Sequence, residues 1–232
     1  MTCVLAIDTA TRYATVAVAV DGASSSTGER QVYSRSWFSQ HNHGVELLAR
    51  VNEALEDAGR SISDLTHIAV VIGPGSFSAL RVGLATAQGM ALARDLKLIP
   101  IPTLEAEIEP WMDHDGPVCA AIKAGSSGVA WGLYHPGENG PVLEASGLDT
   151  PADCVEACPG ATAFCGEAAQ NFSGHVAPTR ILSGDAPTRD ADALVRIAMR
   201  KLEAGESRDP SKVEVTYARA PSISTPKKPF TG

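Results

Sequence analysis

The sequence of 232 residues predicts an α/β fold built from two similar lobes. Its opening, CVLAIDTATRYATVAVAVDG, reads as an apolar strand, a small polar turn and a second, alternating strand, which together make a hairpin. The same signal returns at Pro117 in PVCAAIKAGSSGVAWGLYH. Laid over the first hairpin, Ala6-Ile7-Asp8 falls on Ala121-Ile122-Lys123, and Val16 and Val18 fall on Trp131 and Leu133. A repeat of this size points to duplicated lobes. The boundaries follow as 1–106 for the first lobe, 107–220 for the second and 221–232 for a loose tail rich in Pro and Lys.

The remaining elements follow in order. Ala23 to Arg30 is a Ser/Gly-rich loop, and QVYSRSWFSQ forms a third strand. HGVELLARVNEALEDAG has helical spacing, with Val45, Leu48, Val51 or Asn52, and Leu55 along one face and Gly59 as its stop. LTHIAVVIG is a short strand, Phe77 to Arg94 a helix, and LKLIPIPTLEAEIE a strand and a short helix. In the second half a Gly/Pro-rich loop, His135 to Pro141, precedes a helix from Pro151 to Ala157 and a short strand at TAFCG. DADALVRIAMRKLEAG forms a helix stopped by Gly205, and VEVTYARAP a final strand.

Composition narrows the function classes. The formal charge is -8 and 20% of residues are charged, so the chain lacks the basic face that independent nucleic-acid binding needs. No apolar run approaches the roughly 20 residues of a membrane span. MTCVLAIDTA has no basic segment before its apolar run, which Asp8 interrupts, so a secretory signal is not expected and the location is expected to be cytoplasmic. Five cysteines, Cys3, Cys119, Cys154, Cys158 and Cys165, are expected as free thiols. Cys154 and Cys158 are four apart with no second pair or nearby His, so they are expected as helix-spaced thiols and not as a zinc site.

VVIGPGSFSALRVGLATAQGMALAR raises the question of a ligand loop or a docking helix. Gly73-Pro74-Gly75-Ser76 has no Gly-Lys-Ser/Thr after it and is not a phosphate-binding Walker loop. Its amides can still meet an anion at the helix start, although Pro74 removes one of them. In the helix, Ala79, Gly83, Ala87 and Ala91 recur every four residues, and Ala85, Gly89 and Ala93 form a second stripe. Glycine inside a helix costs about 1 kcal/mol relative to alanine. Small residues let another backbone approach closely, so one stripe can face the strands of the lobe and the other a second protein.

LAIDTATRYATVAV, NHGVELLARV, DLTHIAVVIGPGSFSALRVGLATAQGMALA and IPIPTLEA occur in that order over residues 3 to 106. Together they resemble the TsaB (YeaZ-type) proteins of bacterial threonylcarbamoyladenosine biosynthesis. The second half matches more loosely, through VAWGLYH and the last helix. The resemblance implies a duplicated actin/Hsp70/sugar-kinase-like (ribonuclease H-like) fold. It implies a non-catalytic scaffold that docks through N-terminal helices on a TsaD-like transferase, joined by a TsaE-like ATPase, with tRNA held only through the complex and a homodimer when alone. The docking or dimer face is expected at Leu47, Leu48, Val51, Ala79, Leu80, Gly83, Leu84, Ala87, Met90 and Ala91.

The resemblance also sets two chemical tests. Sister proteins carry a metal-binding His-x-x-x-His, whose two positions fall here on Thr103 and Glu107, so neither a metal nor a catalytic residue is expected. Kinase-like members of the superfamily hold phosphates and Mg²⁺ at the two hairpin turns. The candidates here are Asp8, Thr9 and Thr11 in the first turn, Gly73, Gly75 and Ser76, Lys123 in the second turn, and Gly166 before a later helix. Lys123 stands where relatives carry Asp; it can meet a phosphate or pair with Asp8 but cannot bind Mg²⁺. ATP or ADP is therefore expected at most at the assembled complex. The alternative reading is a small-molecule kinase or ATPase of the same fold; a peptidase has no residue support.

Overall fold

A computed structural model describes residues 2–21, 30–40, 42–137, 139–182, 184 and 186–218. The expected tail at 221–232 and most of the loop from Ala23 to Arg30 lie outside these residues.

The first sheet has the order β3-β2-β1-β4-β5. Strands β1 (Cys3–Asp8), β2 (Tyr13–Asp21) and β3 (Arg30–Phe38) are antiparallel neighbours, and β4 (His67–Gly73) and β5 (Leu98–Pro102) add in parallel. The central strands are apolar on both faces because helices cover both. Leu5, Ile7, Val16 and Val18 point to α1 (His43–Asp57) and α2 (Phe77–Ala93). The alternate residues Val4, Ala6, Ala17 and Ala19 meet Leu194, Ile197 and Ala198 of α5 (Ala191–Glu203). Alanines on that face let α5 lie close against the sheet. The sequence assigned α5 to the second lobe; its packing is on the first sheet. β3, at the sheet edge, alternates between partly covered and exposed residues.

The second sheet has the order β8-β7-β6-β9, which repeats β3-β2-β1-β4 in both order and direction. Its strands are β6 (Val118–Ala124), β7 (Gly128–His135), β8 (Val142–Asp149) and β9 (Ala163–Cys165). α3 (Thr103–Ile108) covers one face through Leu104 and Ile108, and α4 (Pro151–Ala157) with Phe172 covers the other. The duplication is therefore real but unequal: β9 has three residues, and among the described residues the counterpart of β5 is a single parallel bridge between Phe164 and Ile181. The hairpin registers also differ by one, since Ala6 opposes Ala17 while Ala121 opposes Trp131.

Two strand assignments are corrected. β8 was not anticipated: VLEASGLD is an edge strand with most residues exposed or half-exposed, and it carries little apolar signal. Of the expected final strand VEVTYARAP, the described residues 213–218 form no strand. A short 3-10 turn at Pro210–Lys212 leads into extended chain tied down by Thr216 N donating to Ile72 O at 2.7 Å and by packing of Val213 and Val215.

Candidate functional site in the cleft between the sheets

Each hairpin points its turn at the space between the two sheets. β1 ends at Asp8, whose Oδ1 accepts from Ala10 N at 2.8 Å and so folds the turn back on itself. Thr9 Oγ1 donates to Ala79 O at 2.7 Å, which ties the turn to the first turn of α2. Ser76 N donates to Ala10 O at 2.7 Å. The GPGS segment thus serves the turn of the first hairpin. A Cβ on Gly75 would lie 2.3 Å from Ala10 O, and one on Gly73, where φ is +116°, would lie 2.1 Å from Thr216 O. Both glycines are needed because three backbone segments converge there.

The centre of the site is Arg189, a residue that nothing in the sequence singled out. It sits one position before Asp190, the N-cap of α5, and is buried. Its Nε donates to Asp8 Oδ2 at 2.6 Å, and its Nη1 to Glu107 Oε1 and, at 3.3 Å, to Glu167 Oε2. Its Nη2 donates to Thr11 Oγ1 at 2.8 Å and to Tyr13 O at 3.4 Å. Five acceptors match the five N–H groups of a guanidinium. Burial alone would pull Arg189 down; the charges of Asp8, Glu107 and Glu167 outweigh it and leave the guanidinium raised. Burial also pushes the Glu107 carboxyl up, and the Arg189 charge opposes that. Gly166 brings Glu107 to this point: its φ is +92°, and a Cβ would meet Ala121 O at 2.6 Å and Glu107 Cδ at 3.3 Å.

The structure joins four of the anticipated ligand residues, Asp8, Thr9, Thr11 and Gly166, to this network or its walls. It does not join Lys123 to Asp8. Lys123 is exposed near the end of β6, beside the turn of the second hairpin, and the cation at Asp8 is Arg189. The two positions tested for metal ligands are Thr103, fully buried with its hydroxyl lacking a partner among the described residues, and Glu107, also fully buried. These residues do not fit a metal ion: one is an alcohol, and the other is bound to a fixed guanidinium. A divalent cation shared by Asp8 and Glu107 would have to displace Arg189.

Beside the network lies a cavity of about 980 Å³ lined by Arg12, Lys123, Tyr13, Phe38, Ser76 and Tyr217, among others. The start of α2 opens into it, as does His43, whose Nε2 pairs with Thr11 O at 3.0 Å.

The anticipated docking residues are mostly elsewhere than expected. Leu47, Val51, Ala79, Leu80, Gly83, Leu84, Ala87, Met90 and Ala91 are buried inside the first lobe; of that set only Leu48 is exposed. The helical period was right and the face was wrong. α1 turns His43, Leu47, Val51, Ala54 and Leu55 inward, leaving Val45 84% and Leu48 48% exposed. Gly83 is small because Thr9 lies on it: a Cβ there would be 2.3 Å from Thr9 Oγ1. The second stripe, Ala85, Gly89 and Ala93, is exposed, and nothing lies within 4 Å of a Cβ on Gly89. Among the described residues no helix is long and apolar enough to cross a membrane.

Comparison with known proteins agrees with this architecture. The family described as "TsaD: tRNA N6-adenosine threonylcarbamoyltransferase" matches residues 37–163. The tRNA threonylcarbamoyladenosine biosynthesis protein TsaB of Escherichia coli strain K12 is 34% identical over 139 residues, 59% of this chain and 57% of that protein. A tRNA N6-adenosine threonylcarbamoyltransferase of Streptococcus equi subsp. zooepidemicus is 35% identical over 100 residues, 41% of this chain and 30% of that one. The chain thus spans about half the length of the curated TsaB relatives it matches. In fold it is similar to YeaZ from Pseudomonas aeruginosa, with a TM-score of 0.78, 23% identity, and 94% of this chain and 100% of that one covered. The chain belongs to the TsaD family.

Proposed function

We propose that this chain is a non-catalytic docking subunit of the machinery that forms threonylcarbamoyladenosine in tRNA, seated on a TsaD-like transferase. The observation that carries the reading is Arg189. It engages Asp8, Glu107 and Glu167 together, so the cleft offers no free carboxylate pair for a catalytic cation. The names of the curated relatives supply the pathway. The docking face is redrawn to the outward side of α1 and α2: Val45, Leu48, Ala85, Gly89, Leu92 and Ala93, all exposed. A stripe of small residues flanked by three exposed aliphatic side chains favours close helix-on-helix packing. The same face serves a second copy of the chain when the transferase is absent. A TsaE-like ATPase and tRNA join through the transferase, in keeping with the acidic charge of -8.

The test is co-elution with a TsaD-like transferase of the same organism in size-exclusion chromatography. Gly89→Arg and Leu48→Glu are each expected to abolish co-elution while the circular dichroism spectrum and Tm stay unchanged. Undiminished co-elution of both variants overturns the docking face.

A second reading, a kinase or ATPase, draws on the cavity, where Arg12, Lys123 and the start of α2 offer positive charge to a nucleotide's phosphates. Turnover of Mg²⁺·ATP by the purified chain, lost in Lys123→Ala, would favour it over the docking reading.

A further inference from the structure

Three of the five cysteines meet in the core of the second lobe. Cys119 lies on β6, Cys154 on α4, and Cys158 caps the C-terminus of α4. Their sulfurs all lie within 4.8 Å of one another, and Cys119 Sγ and Cys154 Sγ are 3.8 Å apart. From sequence only the Cys154/Cys158 pair was visible; the sheet brings the third thiol across 35 residues.

We propose that Cys119, Cys154 and Cys158 form a three-thiolate site for one thiophilic d¹⁰ metal ion, zinc(II) or copper(I). Two thiolates bound to one such ion at about 2.3 Å, at trigonal or tetrahedral angles, have sulfurs roughly 3.8–4.0 Å apart. The Cys119–Cys154 spacing of 3.8 Å matches that of a chelate and is about twice the roughly 2.05 Å of a disulfide, and the remaining sulfur pairs lie within 4.8 Å. The ligands come from a central strand and a helix end, elements held by Phe164, Phe172, Trp131 and Leu133 around them. Such a frame holds ligand geometry without the ion. Cys119 and Cys154 are fully buried and Cys158 is 8% exposed, so Cys158 is the point of entry.

The protons and charges balance. Hydrogen bonds from the Cys119 and Cys154 thiols, with the Arg180 charge adding to them, pull the Cys158 thiol down to about 4, while the other two are raised. Each ligand binds as thiolate, so metal uptake releases the protons that the thiols hold. Three thiolates and a divalent ion leave one negative charge, which Arg180 offsets; with a monovalent ion one negative charge remains. Soft thiolate sets of this kind select zinc and copper(I) over magnesium or calcium. Among the described residues no other His, Cys, Asp or Glu completes the cluster, so the ion is three-coordinate in protein ligands.

The experiment uses the full chain, purified reduced, loaded separately with zinc(II) and, without oxygen, with copper(I), then desalted against a weak chelator. The expected result is one equivalent of either ion per chain by mass spectrometry of the metal. A cobalt(II)-loaded sample is expected to show a thiolate-to-metal charge-transfer band. Cys154→Ser should reduce retention at least tenfold and abolish the band, and Cys3→Ser should change neither. Cys158→Ser, at the rim, provides the same test should Cys154→Ser misfold. Retention of far less than one equivalent, a signal untouched by both cluster variants, or loss of two hydrogens to a Cys119–Cys154 disulfide in place of metal uptake each overturns the proposal.

Discussion

Arg189 and Asp8 stand 181 residues apart in the chain and meet in the cleft through a 2.6 Å bond from Nε to Oδ2, each side chain 1% exposed. That contact fastens the entry to α5 onto the turn of the first hairpin. Through Glu107 and Glu167 the same guanidinium also fastens α3 and the start of the second lobe's last segment. One buried cation therefore joins four chain segments at a single point.

Removing that cation strands two buried carboxylates. Arg189→Met is expected to destabilise the chain by about 3–5 kcal/mol, the usual loss when one partner of a buried ion pair is deleted. Arg189→Lys restores only part of this, because an ammonium cannot reach five acceptors in one plane. Urea unfolding of the three proteins checks the order wild type, Lys, Met; a Met variant as stable as wild type would contradict it.

Glu107 makes stability depend on pH with a definite sign. Its folded pKa lies above its unfolded value, with burial the main cause. Between the two values the native state holds the extra proton, so this residue's contribution is full below the ordinary glutamate range. It is lost as pH rises through the folded value. Glu107→Gln removes the titration. The Tm of the variant relative to wild type should rise as pH climbs from the ordinary glutamate range through the folded value; a difference that stays constant with pH would refute the assignment.

Gly83 and Thr9 should behave as a coupled pair. Gly83→Ala places a Cβ 2.3 Å from Thr9 Oγ1, an overpacking worth about 1–3 kcal/mol. Thr9→Ala removes the obstruction, so the double variant should be more stable than the sum of the single changes allows. A double-mutant cycle in urea measures the coupling, and strict additivity would show that Gly83 is small for another reason.

Lys123 should be dispensable for folding. It is exposed and lies away from Asp8, so Lys123→Ala is expected to shift stability by no more than about 0.5 kcal/mol. Thermal unfolding decides this, and a loss near that of Arg189→Met would restore the Asp8–Lys123 pairing read from sequence.

The first sheet, both hairpins and all five helices could be read from apolar periodicity and glycine stops, because those signals are local. What escaped was non-local. Which face of α1 and α2 turns inward depends on the sheet beneath them, so a correct period yielded a buried stripe where a docking face was expected. Arg189 looks like any surface arginine in PTRDADAL until β1, α3 and the Gly166 turn close around it. The third cysteine of the cluster was invisible for the same reason. β8 was missed because an edge strand with much of its surface in water carries little apolar pattern.

The placement of α5 against the first sheet bears on synthesis. A nascent chain emerging from the ribosome has all five strands of that sheet available by residue 102, yet Val4, Ala6, Ala17 and Ala19 have no cover until Leu194, Ile197 and Ala198 follow. Between those two points the alanine and valine face of the sheet lacks its covering helix. Completion of the first lobe therefore waits on a segment that follows the whole second sheet in the chain.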